Sequence, residues 1–133
     1  MNKKNISKIG LFCIQNKRLL VVFKPNIGLY ITPGGKIEPY ETETECLERE
    51  IKEELGCSIC NLVYFGIFNG TTPEGDFLHQ KCYLGDLEGK ITLNPDDTIN
   101  GYSWVDRYSI YNIPLGPMLK EQIIPTLIEQ GYL

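Results

Sequence analysis

The chain has 133 residues, of which 42% are hydrophobic and 23% charged, with a net charge of −4. That length predicts one domain over residues 1–133 with a real core, and the composition excludes a disordered or fibrous protein. No apolar run approaches the roughly 20 residues of a membrane helix, and the acidic balance argues against a nucleic-acid polymer as partner.

The basic, polar start and the interruption at Gln15–Arg18 do not read as a secretory signal, so a cytoplasmic location is expected. Ile6–Ile14 and Leu19–Phe23, joined by a polar turn, read as a hairpin buried on at least one face. A turn at Pro25, Asn26 and Gly28 precedes a short extended piece, Leu29–Ile31, and Pro33-Gly34-Gly35 is expected to be irregular backbone. Thr42 with Glu45 three residues on forms a capping box, Cys46, Leu47, Ile51 and Leu55 mark one apolar face, and Gly56 suits a left-handed cap. These signals predict a helix over 42–55. Extended segments follow near 58–70, 77–84 and 98–105. An amphipathic helix starts near Pro117, and Pro125 should kink or interrupt it.

Five cysteines, an odd number without a signal peptide, read as reduced, buried structural thiols. Cys57 and Cys60 form a CxxC, but it lacks the second pair a zinc site needs and follows a helix instead of preceding one. His79 has no evident partner.

Charge is concentrated in one place. Residues 38–54 hold eight of the seventeen acidic residues and two of the thirteen bases. A glutamate run is ordinarily a solvated helix face. Here Glu50, Glu53 and Glu54 stand at i, i+3 and i+4, where like charges repel unless a cation gathers them. Clustered hard oxygens suit Mg²⁺, with Mn²⁺ as an alternative. Gly34 and Gly35 offer backbone without side chains to an approaching ligand. Arg49, in the same turn, can pair with Glu45 or Glu53 or reach back to a loop carboxylate. A metal cluster beside open backbone suits chemistry at phosphate.

Gly35, Glu41, Arg49-Glu50-Ile51, Glu53-Glu54 and Gly56-Cys57 are spaced as in the Nudix box, G-x5-E-x7-R-E-U-x-E-E-x-G-U with U apolar. A chance match of all fixed positions is on the order of 10⁻⁷ at typical residue usage, so the chain resembles a Nudix (MutT-like) hydrolase. The likeness extends over about residues 6–130, with Trp104-Val105-Asp106 similar to the family's late strand and the C-terminal segment to its last helix. It implies an α/β (α+β) fold, the Nudix α/β/α sandwich with a mixed β-sheet between helices. The implied activity is Mg²⁺-dependent hydrolysis of a nucleoside diphosphate linked to a further group.

Carried over position by position, Glu50, Glu53 and Glu54 would hold the cations, with the Gly35 carbonyl a further ligand. Glu41 would order the loop through Arg49. The general base is Glu50 on this reading, or Asp96 or Asp97, because the loop near the late strand has no glutamate. Lys24, Gly34 and Lys36 are the candidate substrate contacts; Tyr30, Phe68, Tyr83 and Tyr102 read first as packing or surface residues, with a stacking wall as the alternative. The Gly34–Glu38 stretch is similar to members that clean oxidised nucleoside triphosphates such as 8-oxo-dGTP, a pattern shared by members with other substrates. Tyr40 stands where the family often has glycine. A homodimer is compatible with the family, although no heptad or apolar edge specifies one. The competing reading is a Nudix-fold nucleotide-binding or regulatory module without turnover, and the intact set of box carboxylates weighs against it.

Overall fold

Strand β3 (Arg18–Lys24) shows how the architecture arises. Leu19, Leu20, Val21 and Val22 are all fully buried, so both faces of the strand must be covered. Side chains alternate across a strand, and here Leu20 and Val22 join one core cluster while Leu19 and Val21 join another. The first cluster packs beneath helix α1 (Glu43–Leu55). The second packs beneath the C-terminal helical segment, where Met118, Leu119, Ile123, Ile124 and Leu127 close it. The result is the helix–sheet–helix layering expected from the sequence.

The computed structural model describes residues 2–95 and 98–133. Strand β1 (Asn5–Phe12) is parallel to β7 (Phe77–Glu88) and antiparallel to β5 (Gly34–Lys36), while β6 (Ser58–Thr71) pairs with the far side of β7. In a second sheet, β3 lies between β8 (Gly101–Val105) on one side and β2 (Ile14–Gln15) and β4 (Leu29–Ile31) on the other. No helix is long and apolar enough to cross a membrane among the described residues.

Three expectations need correction. The hairpin is only a tip, Ile14–Gln15 against Arg18–Leu19, turned by Asn16 and Lys17 at φ 53° and 60°. Strand β1 does not pair with β3; it leaves for the mixed sheet, where β5 and β7 satisfy both of its edges. Gly34–Lys36 is strand β5, with Ile9 opposite Gly35 and Gly10 opposite Gly34. Gly34 still needs its freedom, since φ is 137° and a Cβ there would lie 2.0 Å from the Ile9 carbonyl oxygen.

The C-terminal helix starts at Pro117, as the sequence predicts. A wide π-helical stretch, Leu119–Ile123, runs without a break into α2 (Ile124–Glu129), with Pro125 in the first turn of α2. Proline has no N–H to donate, and placing it at a helix start removes the cost of its missing bond.

Candidate active site

Helix α1 presents the box residues because both its ends are fixed. Thr42 Oγ1 accepts from the Glu45 N–H at 3.2 Å, and the Glu45 carboxylate accepts from the Thr42 N–H at 2.9 Å. Gly56, at φ 67°, caps the other end by donating to the Lys52 carbonyl. Cys46, Leu47, Ile51 and Leu55 enter the core, so the remaining surface carries the charges. The N-terminal turn is tied down by Glu43, which accepts from Lys81 Nζ at 2.7 Å and from the Tyr83 hydroxyl at 2.6 Å. Those two donors, Lys81 foremost, hold the Glu43 carboxyl below the usual range.

Two of the carboxylates lie on strand β5. Glu54 is only 7% exposed and its Oε1 accepts from the Gly34 N–H at 3.0 Å. The Glu50 carboxylate covers Gly35 so closely that a Cβ there would sit 2.3–2.6 Å from its carboxyl atoms. Glycine is therefore required at 35 for the carboxylate to reach the backbone. Glu53 stays at the exposed rim.

Arg49 organises the loop between β5 and α1. Its Nε and Nη2 grip Glu41 in a fork at 2.6 and 3.0 Å, and Nη2 also donates to the Lys36 carbonyl at 3.2 Å. Nη1 donates to Glu50 at 2.9 Å and to Glu53 at 3.4 Å. Glu41 additionally accepts from the Glu38 N–H at 2.9 Å. The Glu41 bond, followed by Glu50, raises the Arg49 pKa further, so the guanidinium is a permanent cation. Arg49, above all, holds the Glu41 carboxyl below its usual range. Of the three sequence alternatives for Arg49, Glu53 and the loop carboxylate Glu41 are engaged, while Glu45 instead serves the helix cap.

Among the described residues, no three His, Cys, Asp or Glu side chains are gathered closely enough to hold a metal. The reason is visible: Arg49 shares Glu50 and Glu53, while Glu54 is on the Gly34 N–H. The donor chemistry still fits a hard divalent cation, since every candidate atom is a carboxylate or carbonyl oxygen. The one nearby thiol, Cys46, lies 3.7 Å from the Gly35 carbonyl oxygen, and burial raises its pKa to about 11, so it offers no thiolate.

Beside Gly34 and Gly35 opens a cleft between the two sheets. Lys8, Lys24 and Glu74 are its charged residues, Thr32, Thr71 and Gln80 its neutral polar ones, and Ile31, Leu78, Met118 and Ile123 are among its aliphatic walls. Burial, then Lys24, lowers the Lys8 pKa, a cost that an anion in the cleft would relieve. Lys24 and Gly34 line this cleft, whereas Lys36 is exposed and not among the lining residues.

The proposed aromatic wall is absent from the cleft. Tyr30 packs on Phe23, Phe68 on Phe12, and Tyr83 on Tyr64, while Tyr102 is exposed on β8. Tyr40 is 83% exposed. His79 does have a partner, since its Nδ1 lies 2.6 Å from Asn69 Oδ1 on β6. All five cysteines are free, and Cys60 of the CxxC is only half-buried. Asp96 and Asp97, the alternative bases, lie outside the described residues. Lys8, Thr32 and Gln80 were missed from the sequence because single polar residues on separate strands carry no spacing signal.

A family model described as the NUDIX domain matches residues 4–127. The NAD-capped RNA hydrolase NudC of Vibrio atlanticus is 31% identical over 102 residues, 75% of this chain and 36% of that protein. The uncharacterized Nudix hydrolase YvcI of Bacillus subtilis is 28% identical over 103 residues, 75% of this chain and 65% of that protein. The chain thus spans about a third of the first relative and just under two thirds of the second. In three dimensions, the MutT Nudix hydrolase of Burkholderia pseudomallei superposes with a TM-score of 0.74 at 21% identity, covering 97% of this chain and 99% of that one. That likeness speaks to the fold.

Proposed function

The chain belongs to the Nudix domain family, and from that premise we propose that it is a Mg²⁺-dependent pyrophosphohydrolase acting on a nucleoside diphosphate linked to a further group. The observation carrying this reading is the Glu50 and Glu54 pair laid on Gly34–Gly35 at the head of a lysine-lined cleft. Glu50, Glu53 and Glu54, with the Gly35 carbonyl, are the groups to hold the cation. Bound there, Mg²⁺ or Mn²⁺ neutralises diphosphate oxygens and makes a bound water more acidic.

The chain's own part is positioning and proton handling. Lys24 and Lys8 face the anionic phosphates, and Gly34 lets them come close to the backbone. Glu50 takes the proton of the attacking water as its oxygen bonds to phosphorus and the phosphoanhydride P–O bond breaks. The leaving phosphate departs with the electron pair. Arg49 and Glu41 keep the loop and Glu50 in place and are positioning residues. A small-molecule nucleotide is the substrate on this reading, and nucleoside triphosphates, including oxidised ones such as 8-oxo-dGTP, are its leading class.

The test is phosphate and pyrophosphate release from a panel of unmodified and oxidised dNTPs, NTPs, ADP-ribose, NADH, dinucleoside polyphosphates, nucleotide sugars and, given the name of one relative, NAD-capped RNA. Turnover of one class, abolished by EDTA and by Glu54→Gln, is the expected outcome. Nucleotide binding without any turnover would replace the enzyme with a binding module.

A further inference from the structure

The C-terminal helical segment, residues 117–129, borders two openings. Met118, Leu119 and Ile123 line the cleft. A different side of the same segment carries an apolar groove, with Ile124, Pro125 and Ile128 as one wall. The facing wall is Ile110, Tyr111 and Leu115, from the short helical turn Ser109–Tyr111 and the chain just after it. Lys120 stands near one end of the helical wall and Glu129 at the other.

The groove is an unusual piece of surface in two respects. Tyr111 is 82% exposed and Tyr108, in the same turn region, 76%. Tyrosine rings carry a large apolar area, and surfaces that meet a protein partner are enriched in them. The second respect is charge. Among the described residues, the side chains of Lys120 and Glu129 make no hydrogen bond or ion pair. They lie about 13 Å apart along the axis, at ~1.5 Å per residue, too far to pair with each other. Neither suits its own helix, since a helix start favours anions and a helix end favours cations.

We propose that the groove receives the same groove of a second copy of this chain, the two helical segments running antiparallel about a two-fold axis. Turned end for end, the groove is its own complement. Apolar walls meet apolar walls, and each end of the contact brings together one Lys120 and the partner's Glu129. A parallel arrangement would gather like charges at both ends. A peptide of one charge sign would match only one end. The contact is isologous and therefore closes at a dimer. Because the cleft opens on another side of the segment, both copies keep it accessible. The proposal stands apart from the hydrolase reading and does not depend on it.

Sedimentation velocity on the full chain, from about 1 to 100 µM, covers affinities typical of a modest interface. The mass should rise from 15.2 kDa to twice that value. Lys120→Glu and Glu129→Lys each place like charges at both ends and should each weaken association about tenfold, since two exposed pairs turn repulsive. Both substitutions improve the match of a helix end to its dipole, so the helical circular dichroism should persist and a lost dimer is not a lost fold. An equimolar mixture of the two variants should associate again, one chain supplying two acids and the other two bases. The double variant should recover in the same way. A monomer at every concentration overturns the proposal. So does a dimer that both single variants leave intact, or a loss that neither the mixture nor the double variant reverses.

Discussion

Two regions meet at Gly34 and are built by opposite means. On one side, α1 and the loop before it carry a dense set of charges, partly solvated and centred on Arg49. Arg49 alone touches Glu41, Glu50, Glu53 and the Lys36 carbonyl. On the other side, the cleft floor is neutral and buried, and its central bond joins Thr32 to Gln80 across 48 positions of sequence. Charge needs water or a counter-charge, so the first region stays at the rim where a cation and a diphosphate can reach it. The second is dry, and its side-chain bonds join residues that only the fold brings together. On the proposed reading the charged rim carries the chemistry and the floor shapes the cleft beside it.

The largest effect should come from the rim. Glu53→Gln and Glu54→Gln should each lower turnover about tenfold to a hundredfold, as loss of a metal-site carboxylate does, while the helical circular dichroism persists. In Glu54→Gln the Gly34 N–H keeps a neutral acceptor, so a collapse of the fold would show that Glu54 is architectural. Wild-type rates in both variants would remove the metal assignment and, with it, the contrast between the two regions.

Next in size is Arg49→Ala. It strips the fork from Glu41 and unties the loop from α1, so it should slow turnover and also lower stability by about 1–2 kcal/mol, or roughly 3–10 °C in Tm. Arg49→Lys should recover little, since a lysine cannot reproduce the two-pronged grip. An unchanged Tm with vanished activity would move Arg49 from positioning into the chemistry.

A smaller effect probes how α1 is anchored. Glu43 is held below the usual carboxylate range by Lys81 and Tyr83. Such a group stabilises the fold at pH values above its ordinary unfolded value, and this contribution is lost as pH falls through its depressed folded value. Removing the Tyr83 hydroxyl in Tyr83→Phe should therefore move the acid-unfolding midpoint slightly upward, with little change in turnover near neutrality. A large loss of turnover near neutrality would mean that helix placement and active site are coupled.

The unequal construction of the two regions also explains which was legible in the sequence. Helix α1, its caps and its charged face follow from residues three and four apart, and the structure keeps each of those neighbours. Gly35 was recognisable, but not that it lies under Glu50 from the helix; Gly10, which lies under Gln80 from a distant strand, carried no signal at all. The hairpin reading failed for the same reason. Sequence adjacency suggested that β1 pairs with β3, whereas β1 runs parallel to β7, with Asn5 opposite Phe77. Parallel pairing leaves no turn signature between the partners. Of the aromatic residues, Tyr30, Phe68 and Tyr83 pack against other rings and Tyr102 is exposed, the ordinary roles that their size favours in a small core.

The smallest expected effect tests whether the boundary between rim and cleft is drawn correctly. Lys24 and Lys36 are both lysines near Gly34, and sequence alone ranks them equally. The structure does not: Lys24 lines the cleft, while Lys36 is exposed on β5 and gives its carbonyl to Arg49. A backbone carbonyl survives side-chain truncation, so Lys36→Ala keeps the Arg49 bond and removes only a solvated charge. Such charges contribute about 0–1 kcal/mol. Lys36→Ala should then leave KM within about twofold of wild type, whereas Lys24→Ala, deleting a cation that faces the phosphates, should raise KM by roughly fivefold with a weaker effect on kcat. Added salt should narrow the difference between Lys24→Ala and wild type, since the lost interaction is electrostatic. Equal effects of the two substitutions would mean that the diphosphate lies outside the cleft, along the exposed edge of β5.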